Sequence, residues 1–154
     1  MKRPKIYLET SVISYLDQQG SSEQTADTLK FWEKAQEGEY DIFVSPVVME
    51  EIKSYNAEKS FIIQKHMDKV CINLLPESKE VEELAKLYAE GRILTERNFD
   101  DCKHIAYACV YNCDMIVSWN FRCIVNYKTI CEVKSVNAVA GYREMGVYTP
   151  TMLI

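Results

Sequence analysis

The most constraining feature of this chain is an alternation, from one end to the other, of short apolar runs with longer segments of helical periodicity. Residues 5–9 (Lys-Ile-Tyr-Leu-Glu) read as a short buried strand. Residues 10–16 read as a brief helical or turn segment that Gln18-Gln19-Gly20 breaks. Ser21-x-x-Gln24 has the form of a capping box, and Ala26, Leu29, Phe31, Trp32 and Ala35 recur at near-helical spacing until Gly38. Asp41, Ile42, Phe43 and Val44 form a second apolar run. Ser45 then offers an N-cap and Pro46 a residue suited to a first helical turn, which puts Glu51 inside the helix that follows. A further helix is predicted over 58–68, a strand over 70–75 closed by Pro76, and a helix over 78–89 ending at Gly91. The helix predicted over 99–111 opens on Asp100 and Asp101, whose charges suit its positive end. A fourth strand follows at 115–118, a largely helical stretch at 122–140 ending at Gly141, and a fifth strand at 147–149 before Pro150.

Strands that alternate with helices in this way pair in parallel, because each must return across the sheet through a right-handed helical crossover. The expected fold is therefore α/β: a three-layer α/β/α arrangement around a central parallel sheet of about five short strands. A chain of 154 residues suits one domain, taken as 1–154, with no internal repeat or linker.

Composition narrows the function classes. Nearly half the residues (47%) are apolar and 27% are charged, well outside disordered composition. No apolar run approaches the roughly 20 residues that span a bilayer, and Met1-Lys2-Arg3-Pro4-Lys5 leads into only a short apolar stretch, so a cytoplasmic protein without membrane association is expected. A net charge of −5 excludes a protein that coats nucleic acid through charge alone, while leaving room for a local basic rim. With five glycines and no G-x-G-x-x-G or Walker-type loop after any predicted strand, a mononucleotide cradle is not indicated. The six cysteines form no C-x-x-C pair and mostly fall in apolar helical segments, so buried free thiols are expected.

In an open parallel sheet the site lies at the carboxyl ends of the strands. Those positions hold Glu9-Thr10-Ser11, Ser45 and Ser118-Trp119-Asn120, and helices starting at the same edge add Glu51 and Asp100 or Asp101. Converging carboxylates repel one another unless a cation neutralises them, and hard oxygen donors suit Mg2+ or Mn2+. Such a cation activates water and offsets charge that builds on a phosphate, which is the chemistry of phosphodiester hydrolysis. Thr10, Ser11 and Ser118 supply hydroxyls that can orient water or phosphate, or cap helices. His104 lies one turn from Asp100 and Asp101. It reads as a structural histidine at the sheet edge, with general base as the alternative. Arg92, Arg97 and Arg122, with Lys103 and Lys128, flank these acids and are candidates for meeting phosphates. Trp119 reads as core, with base stacking as its alternative role.

Several segments in their order and spacing resemble the PIN domain, especially the VapC-like ribonuclease toxins of prokaryotic toxin–antitoxin pairs. They are Ile6-Tyr7-Leu8-Glu9-Thr10-Ser11-Val12-Ile13, Val44-Ser45-Pro46-Val47-Val48-Met49-Glu50-Glu51-Ile52 and Asp101-Cys102-Lys103-His104-Ile105-Ala106-Tyr107-Ala108. Asp114-Met115-Ile116-Val117-Ser118-Trp119-Asn120-Phe121, then Ile124-Val125-Asn126 and the stretch from Gly141 to Thr149-Pro150, complete the match. In that family one acid ends the first strand, a second precedes an aliphatic residue in the next helix, and a third stands three residues before a histidine. The resemblance carries these roles to Glu9, Glu51 and Asp101, with Glu51 chosen over its neighbour Glu50. A fourth acid usually follows the Ser or Thr at the end of the fourth strand, where this chain has Asn120. The resemblance implies RNA cleavage dependent on Mg2+ or Mn2+ held chiefly by Glu9 and Asp101, in a homodimer inhibited by an antitoxin. Two positions depart from the pattern. Glu9 stands for the usual Asp, one methylene longer, and Asn120 offers a carbonyl oxygen without a charge, so weaker metal binding is expected. A PIN-fold module that binds RNA or a protein without cutting is the rival expectation.

Overall fold

In the computed structural model, which describes residues 2–17, 22–91 and 99–154, strand β1 (Lys5–Leu8) has Ile6, Tyr7 and Leu8 wholly buried. A strand covered on both faces has to be apolar throughout, and β1 is the middle strand of five. β2 (Asp41–Val44) pairs with one edge of β1, and β4 (Met115–Val117) with the other. β3 (Ile72–Leu74) lies outside β2 and β5 (Gly146–Tyr148) outside β4, giving the order β3-β2-β1-β4-β5, with every pairing parallel. The chain runs outward from β1 to β3, then returns to lay β4 beside β1. The direction of winding reverses there, and in open α/β sheets the carboxyl ends of the strands at such a reversal are where ligands bind.

The helices among the described residues are α1 (Thr10–Ser14), α2 (Glu23–Gln36), α3 (Pro46–Lys53), α4 (Ala57–Met67), α5 (Lys79–Glu90), α6 (Phe99–Val110) and α7 (Tyr127–Ala140). Helix α5 turns Val81, Leu84, Ala85 and Tyr88 inward against α6, which buries Cys102, Ile105, Ala106 and Cys109 in return. Ser22, Asn56, Ser78 and Asn126 each cap the helix after them by accepting from the backbone N–H three residues on.

Three expectations about helix starts change. Helix α2 takes Ser22 as its cap, while Ser21, the residue expected there, lies outside the described residues. Helix α7 begins at Tyr127, not 122. Asn126 Oδ1 accepts from the Thr129 N–H and Oγ1, and its Nδ2 donates to the carbonyls of Phe121 and Arg122, so the preceding residues are held in turns. Ser45 occupies the N-cap position of α3, but its hydroxyl makes no cap bond. None of the six cysteines, all among the described residues, forms a disulfide; Cys102, Cys109 and Cys113 are buried as expected, whereas Cys71 is exposed. No helix among the described residues is long and apolar enough to cross a membrane.

Candidate active site

Glu9 follows the last residue of β1 and is 5% exposed, so its carboxylate needs donors. It has three: the Ser11 N–H at 3.2 Å, and the hydroxyls of Ser11 and Ser118, each 2.5 Å from Oε1. Ser11 Oγ also accepts from the Trp119 N–H at 2.8 Å, stitching the ends of β1 and β4 together. Ser11 and Ser118, two of the three hydroxyls named as candidates for orienting water or phosphate, thus orient a carboxylate.

Glu51 projects from α3, and its Oε1 accepts from Thr10 Oγ1 at 2.8 Å and from His104 Nε2 at 2.7 Å. A carboxylate only accepts, so Nε2 is assigned the proton. Burial works to raise the Glu51 carboxyl, but the hydrogen bond and attraction from His104, with the Thr10 hydroxyl, outweigh it and hold the group below the usual carboxylate range. His104 is wholly buried on α6, which agrees with its structural reading. It is also tied directly to a site acid, and its Nδ1 lies 2.7 Å from the Tyr7 hydroxyl. That hydroxyl is 2.7 Å from Ser45 Oγ. Tyr7 is the residue that the sequence reading missed, and Ser45, named there as a strand-end position, was given only a capping role. The available signal was period two: Tyr7 shares a strand face with Glu9, and a buried phenol needs partners.

Asp101, in the first turn of α6, is partly buried. Burial raises its pKa, His104 and Cys123 hold the rise back in part, and the carboxylates of Glu9 and Glu51 add to it. Asp101 therefore stands within electrostatic reach of both other acids. Asn120 Nδ2 lies 3.4 Å from Asp101 Oδ1, while its Oδ1 accepts from the Cys123 N–H at 3.0 Å. Asn120 thus uses its carbonyl oxygen as an acceptor in the turn after β4 and turns its amide toward the acid.

Asp100, beside Asp101, lines a cleft of about 660 Å³ together with Glu51, Glu50, Lys103 and Tyr107. Lys103 is paired with Glu82 at 3.0 Å. Arg122 is exposed in the turn after Asn120, and Lys128 is exposed at the start of α7. Arg92 and Arg97 lie outside the described residues. Trp119 is buried and donates to Thr28 Oγ1 at 2.8 Å, as a core residue does.

No group of three His, Cys, Asp or Glu residues that could hold a metal ion occurs among the described residues. The donors nonetheless have the right chemistry for a hard cation. Magnesium keeps several waters and takes one or two carboxylates, and the crevice offers Glu9 and an Asp101 whose ionisation its surroundings oppose.

The parallel sheet in this order, flanked by helices and with acids at its carboxyl edge, is a PIN-like α/β fold. Among solved structures, VapC20 of Mycobacterium tuberculosis, a Sarcin-Ricin loop cleaving toxin, matches with a TM-score of 0.59 and 13% sequence identity. The match covers 91% of this chain and 98% of that one. No protein-family model matches the chain, and no curated protein does.

Proposed function

We propose that the protein is a divalent-metal-dependent endoribonuclease of the PIN-domain type, acting in the cytoplasm as the toxin of a toxin–antitoxin pair. The observation that carries this reading is that Asp101 lies within electrostatic reach of both Glu9, at the end of β1, and Glu51, on α3. Mg2+ or Mn2+ bound by Glu9 and Asp101 would supply an electrophile for the phosphate and lower the pKa of water. The chain's own residues do the rest. Ser11 and Ser118 fix Glu9, Thr10 and His104 fix Glu51, and Arg122 is exposed where it can meet an RNA phosphate. A homodimer and a protein antitoxin belong to the same reading.

One observation favours a second reading, a catalytically weakened module that binds RNA or a protein partner: Asn120 turns an amide, not a carboxylate, toward Asp101. The experiment that decides is cleavage of a mixed RNA substrate with Mn2+ or Mg2+, against EDTA and an Asp101→Ala control. The proposal expects cleavage that needs both the metal and Asp101. Folded protein that binds RNA but leaves it intact at every metal concentration would replace the nuclease with the binding module.

A further inference from the structure

A buried polar chain joins three separate elements behind Glu51. Ser45 comes from the junction of β2 and α3, Tyr7 from β1 and His104 from α6. All three are 0% exposed, and the hydrogen bonds from Ser45 to Tyr7, Tyr7 to His104 and His104 to Glu51 are each 2.7 Å. The chain reaches the surface only at Glu51, whose side chain is 36% exposed.

We infer that Ser45, Tyr7 and His104 are positioning residues, a hydrogen-bonded chain that holds Glu51 with one carboxylate oxygen committed to the protein and the other left for the chemistry of the crevice. This rests on the reading of Glu51 as a site carboxylate. The donor directions follow from the ends. Glu51 only accepts, so His104 Nε2 donates; in the neutral ring Nδ1 is then the acceptor, so Tyr7 donates to it, and Ser45 donates to Tyr7. Oε1 of Glu51 takes both Thr10 and His104, and Oε2 has no protein partner among the described residues.

Two features separate this chain from ordinary core packing. Buried hydroxyls and imidazoles are costly unless fully paired, and apolar side chains at positions 7, 45 and 104 together would avoid that cost. Ser45 also stands where its hydroxyl would cap α3, yet makes no cap bond and turns to Tyr7 instead. Burial, which keeps the Tyr7 phenol well above its ordinary pKa, leaves it a proton to donate.

The test uses the fact that the chain has two histidines, His66 and His104, so the ring nitrogens are readily assigned by 15N NMR. At pH 8 the wild-type protein is expected to show His104 as the Nε2–H tautomer with a hydrogen-bonded Nδ1. Tyr7→Phe should move Nδ1 to the position of a free acceptor. It should also lower kcat for metal-dependent RNA cleavage by about 10- to 100-fold, the range carried by partners that orient site ligands, with KM nearly unchanged. Should Tyr7→Phe fail to fold, Ser45→Ala removes only the far hydroxyl and gives a smaller change of the same sign in both readings. An Nδ1–H tautomer in the wild type overturns the inference. So does a folded variant with an altered melting temperature but the wild-type ring signals and kcat, the outcome of a purely structural role. Wild-type protein that shows the expected ring signals, and loses them in Tyr7→Phe, yet cleaves no RNA supports the positioning chain and sinks the nuclease reading alone.

Discussion

Glu51 and Asp101 stand on neighbouring helices of one crevice, and the fold treats them in opposite ways. Glu51 is given two protein donors that outweigh its burial and draw its pKa down. Asp101 is half-buried beside two other carboxylates, and its pKa goes up. A carboxyl with a lowered folded pKa contributes stability above the ordinary carboxylate range and loses it as pH falls through the lowered value. One with a raised pKa does the reverse: its ionised form costs stability at neutral pH, and the cost is relieved as pH falls through the raised value. Glu51 is thus satisfied from within, whereas Asp101 keeps a charge that His104, Cys123 and Asn120 compensate only in part. That is the condition in which a cation from outside gains most.

The sharpest way to break this contrast is Asp101→Asn. RNA cleavage should fall by more than the roughly 100-fold that supporting residues carry. Without metal, the melting temperature should nevertheless rise, by about 2–4 °C for each ~1 kcal/mol relieved in a chain of this size. In the same assay Mn2+ should stabilise the wild type, by about 2.7 kcal/mol at 100 times its Kd, and leave the variant unmoved. A lower melting temperature in the variant would mean that Asp101 is satisfied after all.

Glu51→Gln should act with the opposite sign. Losing charge-assisted bonds from Thr10 and His104 should cost about 1.5–3 kcal/mol in urea unfolding at pH 7. The difference from wild type should shrink as pH falls below the usual carboxylate range, and a pH-independent difference would show that the charge is not what counts. Ser118→Ala removes one of the two hydroxyls on Glu9 and should cost about 1 kcal/mol. The smallest effect is expected at Glu50, whose side chain is 74% exposed beside Lys53. Glu50→Ala should change stability by less than about 0.5 kcal/mol, and a larger change would mean that the wrong one of two adjacent acids has been assigned to the crevice.

Periodicity carried most of the fold. All five strands and the parallel α/β class were readable because short apolar runs such as Ile6-Tyr7-Leu8, too short for a helix, alternate with longer segments of helical periodicity. The start of α7 was not readable as an apolar pattern. Residues 122–126 are apolar enough to continue a helix, and the capping bonds of Asn126 decide against it. Strand order left no local trace either, since β4 meets β1 through contacts remote in sequence. Within the site, the acids stood out as charges at strand ends and helix starts. Tyr7 and Ser45 did not, because their role depends on a side chain from α6 arriving between them and Glu51. The turned amide of Asn120 was hidden for the same reason: which of its two ends faces the acid is decided by the backbone N–H of Cys123.

The placement of β4 against β1 also bears on how the protein is made. Glu9 and Ser118 are 109 positions apart, about 5–20 s of synthesis at the usual ~5–20 residues per second. Until then β1 can pair on its β2 side only, and its other edge is an open ladder of apolar residues, the kind of surface through which unfinished chains associate. The same delay keeps the acids inert as a set. A chain synthesised only as far as residue 103 has Glu9 and Glu51 but neither His104 to anchor the second nor Ser118 to hold the first, so the site is assembled only once residue 118 has been made.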